Sequence, residues 1–211
     1  MKLKQKFLLR ICLTLTCFII ISCGEVFSDR TPSSISSTCQ DPNALSSGYL
    51  VSFQCQALSW GNFPVKLHLD PNLPQVFFDA FDQATKEGNQ ELGFVVFELA
   101  IEKSTYNNVQ LLSSHEWAIS GGTLDQQART LYKYVGDKFI STDIVFNGKL
   151  QFSLDSTFNS VHLPTLVKHE LGHVLGLSHV DDGLMQTVLP NSITRHVSTS
   201  EIQKVQSLYA I

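Results

Sequence analysis

The stretch His169–Met185 reads HELGHVLGLSHVDDGLM and holds three histidines, one glutamate and three glycines. His169 and His173 are four residues apart, so a helix sets both imidazoles on one face, one turn apart. Two such nitrogens can meet one Zn²⁺ at about 2.0–2.1 Å. Glu170 lies about 100° further around that helix. It stands beside a bound ion rather than on it, where a carboxylate acts as base toward metal-bound water. His179 is ten residues beyond His169, about 15 Å along an unbroken helix, and could not reach the same ion. Gly176 resolves the conflict. Glycine adopts φ > 0 without a Cβ clash, so the helix can stop there and the chain can double back. Three histidines with an open fourth position describe a catalytic zinc site rather than a closed structural one.

Upstream of this stretch, Lys2, Lys4, Lys6 and Arg10 precede an apolar run, Ile11–Ile21. The run is too short to span a bilayer comfortably and reads as an export signal. It ends in Ile20-Ile21-Ser22-Cys23, which resembles the lipobox of bacterial lipoproteins. That resemblance implies a signal peptide over 1–22, cleavage before Cys23 and a lipid on its sulfur. Localisation follows as an expectation: exported and lipid-anchored to a bacterial membrane, at the outer membrane or cell surface, with plain secretion as the alternative. Removing 1–22 takes the formal charge from −4 to −8, with 11 Lys and Arg against 19 Asp and Glu. An acidic chain without a basic stripe excludes nucleic acid as partner, and membrane contact would come from the lipid. Cys39 and Cys55 form the natural disulfide pair of an exported chain. A Cys39 thiolate on the metal is the competing reading. Residues 23–48 are Ser-rich without an apolar period and read as a lipidated tether, leaving 49–211 as one domain, expected to act as a monomer.

Within that domain Val65, Leu67 and Leu69 alternate with Lys66 and His68, a strand with one buried face. Phe77, Phe78, Phe81 and Ala84 fall at helical spacing, and Gly88 or Gly93 ends that helix. FVVFELAI (94–101), VQLLSSHEWAI (109–119) and KFISTDIVFN (138–147) read as strands, the second with a possible break at Ser113-Ser114. QQARTLYKY (126–134) is more polar, as an edge strand would be. Pro164 suits the first turn of the helix carrying His169 and His173. Ser198 and Glu201 form a capping box before a final amphipathic helix with Ile202, Val205, Leu208 and Tyr209 on its apolar face. The order implies the α/β (α+β) class: a twisted mixed sheet with a first packing helix, the zinc-binding helix and a C-terminal helix against it. His68 reads as a surface residue, and His162 as a residue that could approach the cleft.

Five positions of HExxHxxGxxH agree here, His169, Glu170, His173, Gly176 and His179, with Met185 following. The chain thus resembles the metzincin metalloproteases, and among them the matrixins, over roughly residues 58–211. GGTL (121–124), STDIVFN (141–147) and EIQKVQSLYAI fall where matrixins have comparable pieces. The resemblance implies a metzincin-like fold and a zinc-dependent endopeptidase. His169, His173 and His179 would hold one catalytic Zn²⁺. Glu170 would be general base and then the acid toward the leaving amine. Met185 would be the Met-turn floor. Protein or peptide substrates would lie extended along the edge strand, for which 126–134 is the candidate. An alternative is a zinc-binding surface lipoprotein that binds a partner without cutting it; such a protein has no physical need of Glu170. The chain also departs from the family pattern. Met185 follows His179 by six residues, after a shorter link than usual. The next proline, Pro190, is distant, so Val188, Leu189 and Pro190 are candidates for the specificity-pocket wall. Thr187 stands where other metzincins have tyrosine. Asp125, Gln126, Gln127 and Val145 occupy the places of a second, structural zinc, which is therefore not expected. No calcium site is assignable.

Overall fold

The computed structural model describes Ile19–Ile20 and residues 39–211. Apart from Ile19 and Ile20, the expected signal peptide 1–22, Cys23 and the tether as far as residue 38 lie outside the described residues. In chain order the elements are β1 (Ile19–Ile20), α1 (Pro42–Leu45), β2 (Val65–Leu69), α2 (Gln75–Leu92), β3 (Phe97–Ile101), β4 (Asn108–Leu112), α3 (Ser114–Ile119), β5 (Ala128–Val135), β6 (Lys138–Asn147), β7 (Phe152–Ser153), β8 (Val161–His162), α4 (Leu163–Val174) and α5 (Thr199–Tyr209).

The main sheet runs β1-β5-β6-β4-β2-β3. Strands β3, β2, β4 and β6 are mutually parallel, whereas β5 lies antiparallel to β6. This is the expected mixed sheet with helices against it. β2 buries Val65, Leu67 and Leu69 and exposes Lys66, as period-two alternation requires. His68 does not read out as a surface residue: it is half-buried, with Nδ1 3.0 Å from the Glu102 carboxylate. α2 buries Phe77, Ala80, Phe81 and Ala84 and ends at Gly93, whose φ of 79° provides the left-handed cap that glycine adopts without strain. Its rings meet Phe146 of β6 edge-on. One continuous core then joins β2, β4, α2, α4 and Val205 of α5.

The stretch 109–119 is not one strand. β4 ends at Leu112, and Ser113 N-caps α3 through a capping box with Glu116. The cap satisfies two amide donors that a strand would have to place in a ladder, and it outweighs the apolar look of the run. α3 lies against β4 and β6, so Val145 is buried although it alternates with the core residues Ile144 and Phe146. The short parallel pair β7–β8 also goes beyond the sequence reading, as two-residue strands carry no periodic signal.

At the N-terminal end Cys39 is bonded to Cys55 with Cα atoms 4.9 Å apart. This is the expected pairing, and the sulfur of Cys39 is committed there rather than to a metal. Asp41 caps α1, and Tyr49 bridges to Leu177. The loop that the disulfide closes is thereby laid along the segment that follows α4.

Candidate metal centre

α4 begins where Pro164 fits the first turn and continues to Val174, with Leu175 as its C-cap. A helix end leaves carbonyls without intrahelical donors, and each of these finds a partner. Gly172 O accepts Leu177 N at 3.0 Å, and His173 O accepts Gly176 N at 2.9 Å. Val174 O accepts the indole N–H of Trp60 at 2.8 Å. Leu175 O accepts the hydroxyl of Tyr209 at 3.1 Å, and Gly176 O accepts Leu50 N at 2.7 Å. Gly176 has φ +91°, and a Cβ there would stand 2.5 Å from Leu58 O. Both observations exclude a side chain and make this position the hinge at which the chain turns back.

The turn brings His179 to the two helical histidines. His173 Nε2 lies 3.1 Å from His169 Nε2 and 3.2 Å from His179 Nε2, and the three donor atoms lie within 4.8 Å of one another. On the far side of the rings, His169 Nδ1 meets Leu184 O at 2.6 Å and His173 Nδ1 meets Leu177 O at 2.8 Å. A carbonyl only accepts, so each Nδ1 carries the proton and each Nε2 presents its lone pair inward. Lone pairs facing one another at this range repel unless a cation lies between them. Four-coordinate Zn–N bonds of about 2.0–2.1 Å place ligand nitrogens about 3.3 Å apart, and the spacings of 3.1 and 3.2 Å about His173 fit. Burial keeps the rings neutral: it lowers His169 to about 3 and His179 to about 4, and takes His173 well below the ordinary value. Neutral imidazole is the ligand form.

Glu170 is fully buried beside His169. The Thr130 hydroxyl of β5 donates to its Oε2 at 2.7 Å. The short VDDGL link brings Met185 back onto α4. Gly183 takes φ +83°, Val180 N donates to Met185 O at 2.9 Å, and Met185 is buried against α4. A Cβ on Gly172 would stand 2.4 Å from the Met185 sulfur, so this glycine makes room for the methionine. The sequence reading missed what anchors the turn. Glu201 at the start of α5 takes the amide of Ser198 on Oε2 and the amide of Met185 on Oε1. One carboxylate therefore caps α5 and holds the methionine. The Ser198–Glu201 spacing announces only the first of these tasks. Arg195 adds a bond from its guanidinium to Gly183 O.

The remaining candidates separate. His162 precedes α4 and bonds Thr165 Oγ1 at 2.8 Å, so it is a buried residue of the helix start and stands outside the triad. Of Val188, Leu189 and Pro190, only Leu189 is buried. Gln127 donates its amide to Leu189 O and to Asn191 Oδ1, tying this loop to the start of β5. The places of a second zinc do not fit a metal. Asp125 is exposed, the Gln126 and Gln127 amides are committed to Thr123 N and to the 189–191 loop, and Val145 has no donor. The segment is organised otherwise. Trp117 bonds Thr123 O at 2.7 Å, and the buried guanidinium of Arg129 lies 5.3 Å from its ring and bonds Ser120 O. Among the described residues, His169, His173 and His179 are the one grouping of three or more side chains able to share a metal.

This arrangement is suited to one catalytic zinc, with a carboxylate next to the first ligand. No curated protein matches the chain. A family model does match, that of the matrixins of peptidase family M10, over residues 69–210. The match covers more than half of the chain, including the histidine triad, the helix that carries it and most of the sheet. The protein belongs to the matrixin family of zinc metalloendopeptidases.

Proposed function

We propose that Glu170 is the general base of this endopeptidase, that His169, His173 and His179 hold its zinc over a floor formed by Met185, and that protein substrates lie extended along β5. The convergence of three inward-facing Nε2 atoms beside the Glu170 carboxylate is the observation that carries this reading. A zinc ion held by His169, His173 and His179 would supply Lewis acidity toward the scissile carbonyl and the attacking water. Glu170 takes the proton released as water attacks and delivers it to the leaving amine. Leu184 O and Leu177 O hold the two helical ligands in the required tautomer and orientation. β5 supports the substrate reading. Its outer edge pairs antiparallel with an extended segment of the chain itself, Ile20 opposite Leu131 and Ile19 opposite Tyr132. That segment belongs to the stretch expected to be removed on export, and its loss leaves the edge open for a substrate strand. The exposure of Val188 and Pro190 beyond the methionine turn supports their assignment to the wall of the specificity pocket.

Glu170→Ala is expected to keep one zinc per protein and to lower hydrolysis of labelled casein by about 10²–10⁴-fold. Full activity in that variant refutes the assignment. The domain is further proposed to be exported and held to a membrane by lipid on Cys23. Cys23→Ser should then release it into the soluble fraction, and continued membrane partitioning rejects the anchor.

A further inference from the structure

We infer that Thr130 is a positioning residue for Glu170: its hydroxyl sets the direction of the carboxylate, so the strand proposed to take substrate also orients the base. This rests on the reading of Glu170 given above. Thr130 is 1% exposed and Glu170 is fully buried. The hydroxyl lies 2.7 Å from Glu170 Oε2 and 3.4 Å from the Glu170 carbonyl oxygen. A threonine has one proton to donate, and at these distances it goes to the carboxylate.

The support behind the bond is stiff at each step. Thr130 pairs with Ile144 within the long β5–β6 ladder, so its backbone is held. Its branched Cβ restricts χ1, so the hydroxyl direction follows from the strand. Glutamate, in contrast, has three side-chain torsions to be fixed, and a hydrogen bond to an ionised acceptor is among the stronger ways to fix them. Small misplacement of a reacting group is costly in rate. A valine at this position keeps the shape and β-propensity but cannot donate, whereas a serine keeps the donor.

The test uses the full chain with Thr130→Val, Thr130→Ser, Glu170→Ala and the Thr130→Val/Glu170→Ala pair. With zinc bound and labelled casein as probe, Thr130→Val should lower kcat by about 10- to 100-fold, as loss of a hydrogen bond to a charged group implies. KM and zinc stoichiometry should not change, and Thr130→Ser should recover most of the rate. In metal-free protein, Thr130→Val should lower Tm when Glu170 is present and much less in the Glu170→Ala background, where the carboxylate is gone but the backbone carbonyl remains. The inference is overturned by a wild-type kcat in Thr130→Val, by equal losses in the valine and serine variants, or by the same Tm drop in both backgrounds. Hydrolysis persisting in Glu170→Ala would instead refute the base assignment. The unfolding comparison would then still decide whether Thr130 holds the carboxylate.

Discussion

Replacing Gly176 by alanine strikes the hinge on which the third histidine depends. Two costs can be read from the structure. The residue has φ +91°, and a non-glycine residue held in such a conformation costs about 1–3 kcal/mol. Its Cβ would also stand 2.5 Å from Leu58 O and 3.1 Å from Leu208 Cδ2. The first neighbour is backbone, held in place by the bond from Leu58 N to Leu50 O, so the chain itself must move. Alanine recovers about 0.4–1 kcal/mol by restricting the unfolded chain. With about 1–3 kcal/mol more for the forced displacement, the net expectation is a loss of about 1–6 kcal/mol in the metal-free protein, by denaturant titration. Because the displaced backbone leads directly to His179, zinc affinity should fall at least about tenfold in chelator competition; one decade corresponds to about 1.4 kcal/mol. Gly172→Ala is the control. There the Cβ meets the flexible Met185 side chain, and alanine regains about 0.8–1 kcal/mol of helix propensity, so the stability loss should be smaller. A Gly176→Ala protein with stability within about 0.5 kcal/mol of wild type and unchanged zinc affinity would refute the hinge.

Acid should weaken the metal-free fold through the triad. Burial depresses all three histidines below the ordinary 6.5, so as pH falls the unfolded chain binds protons first. Stability is then full above about 6.5 and declines below it, toward the folded values near 4 and 3, by up to about 1.4 kcal/mol per pH unit for each fully buried ring. Denaturation at pH 7.5, 6 and 5 measures this, and a flat profile rejects it. Tyr209→Phe should cost about 1–2 kcal/mol, because it removes the donor to Leu175 O and the acceptor of the Trp60 backbone N–H. An unchanged unfolding midpoint would show that water replaces both bonds.

Much of the domain could be read locally. β6 has the bounds its β-branched and aromatic run suggested, 138–147, and the final helix starts at its capping box. Where local reading failed, two local signals competed. VQLLSSHEWAI looks like a strand by composition, while Ser113 and Glu116 carry the same capping pattern as Ser198 and Glu201. Alternation alone puts His68 at the surface and says nothing about a carboxylate arriving from the end of a neighbouring strand.

Residue spacing alone is enough to read the metal chemistry. Histidines at 169, 173 and 179, Glu170 and the glycine at 176 constrain one another through helical geometry, and no other part of the chain is needed to see it. What holds that chemistry in place comes from contacts between distant elements. The hydroxyl of Thr130 on Glu170 crosses 40 positions, the carboxylate of Glu201 on the Met185 turn crosses 16, and the indole of Trp60 on the last turn of α4 crosses 114. Periodicity and motif spacing report neighbours along the chain. These supports are made between elements that become neighbours only when the sheet and helices share one core, so residue spacing carries no trace of them.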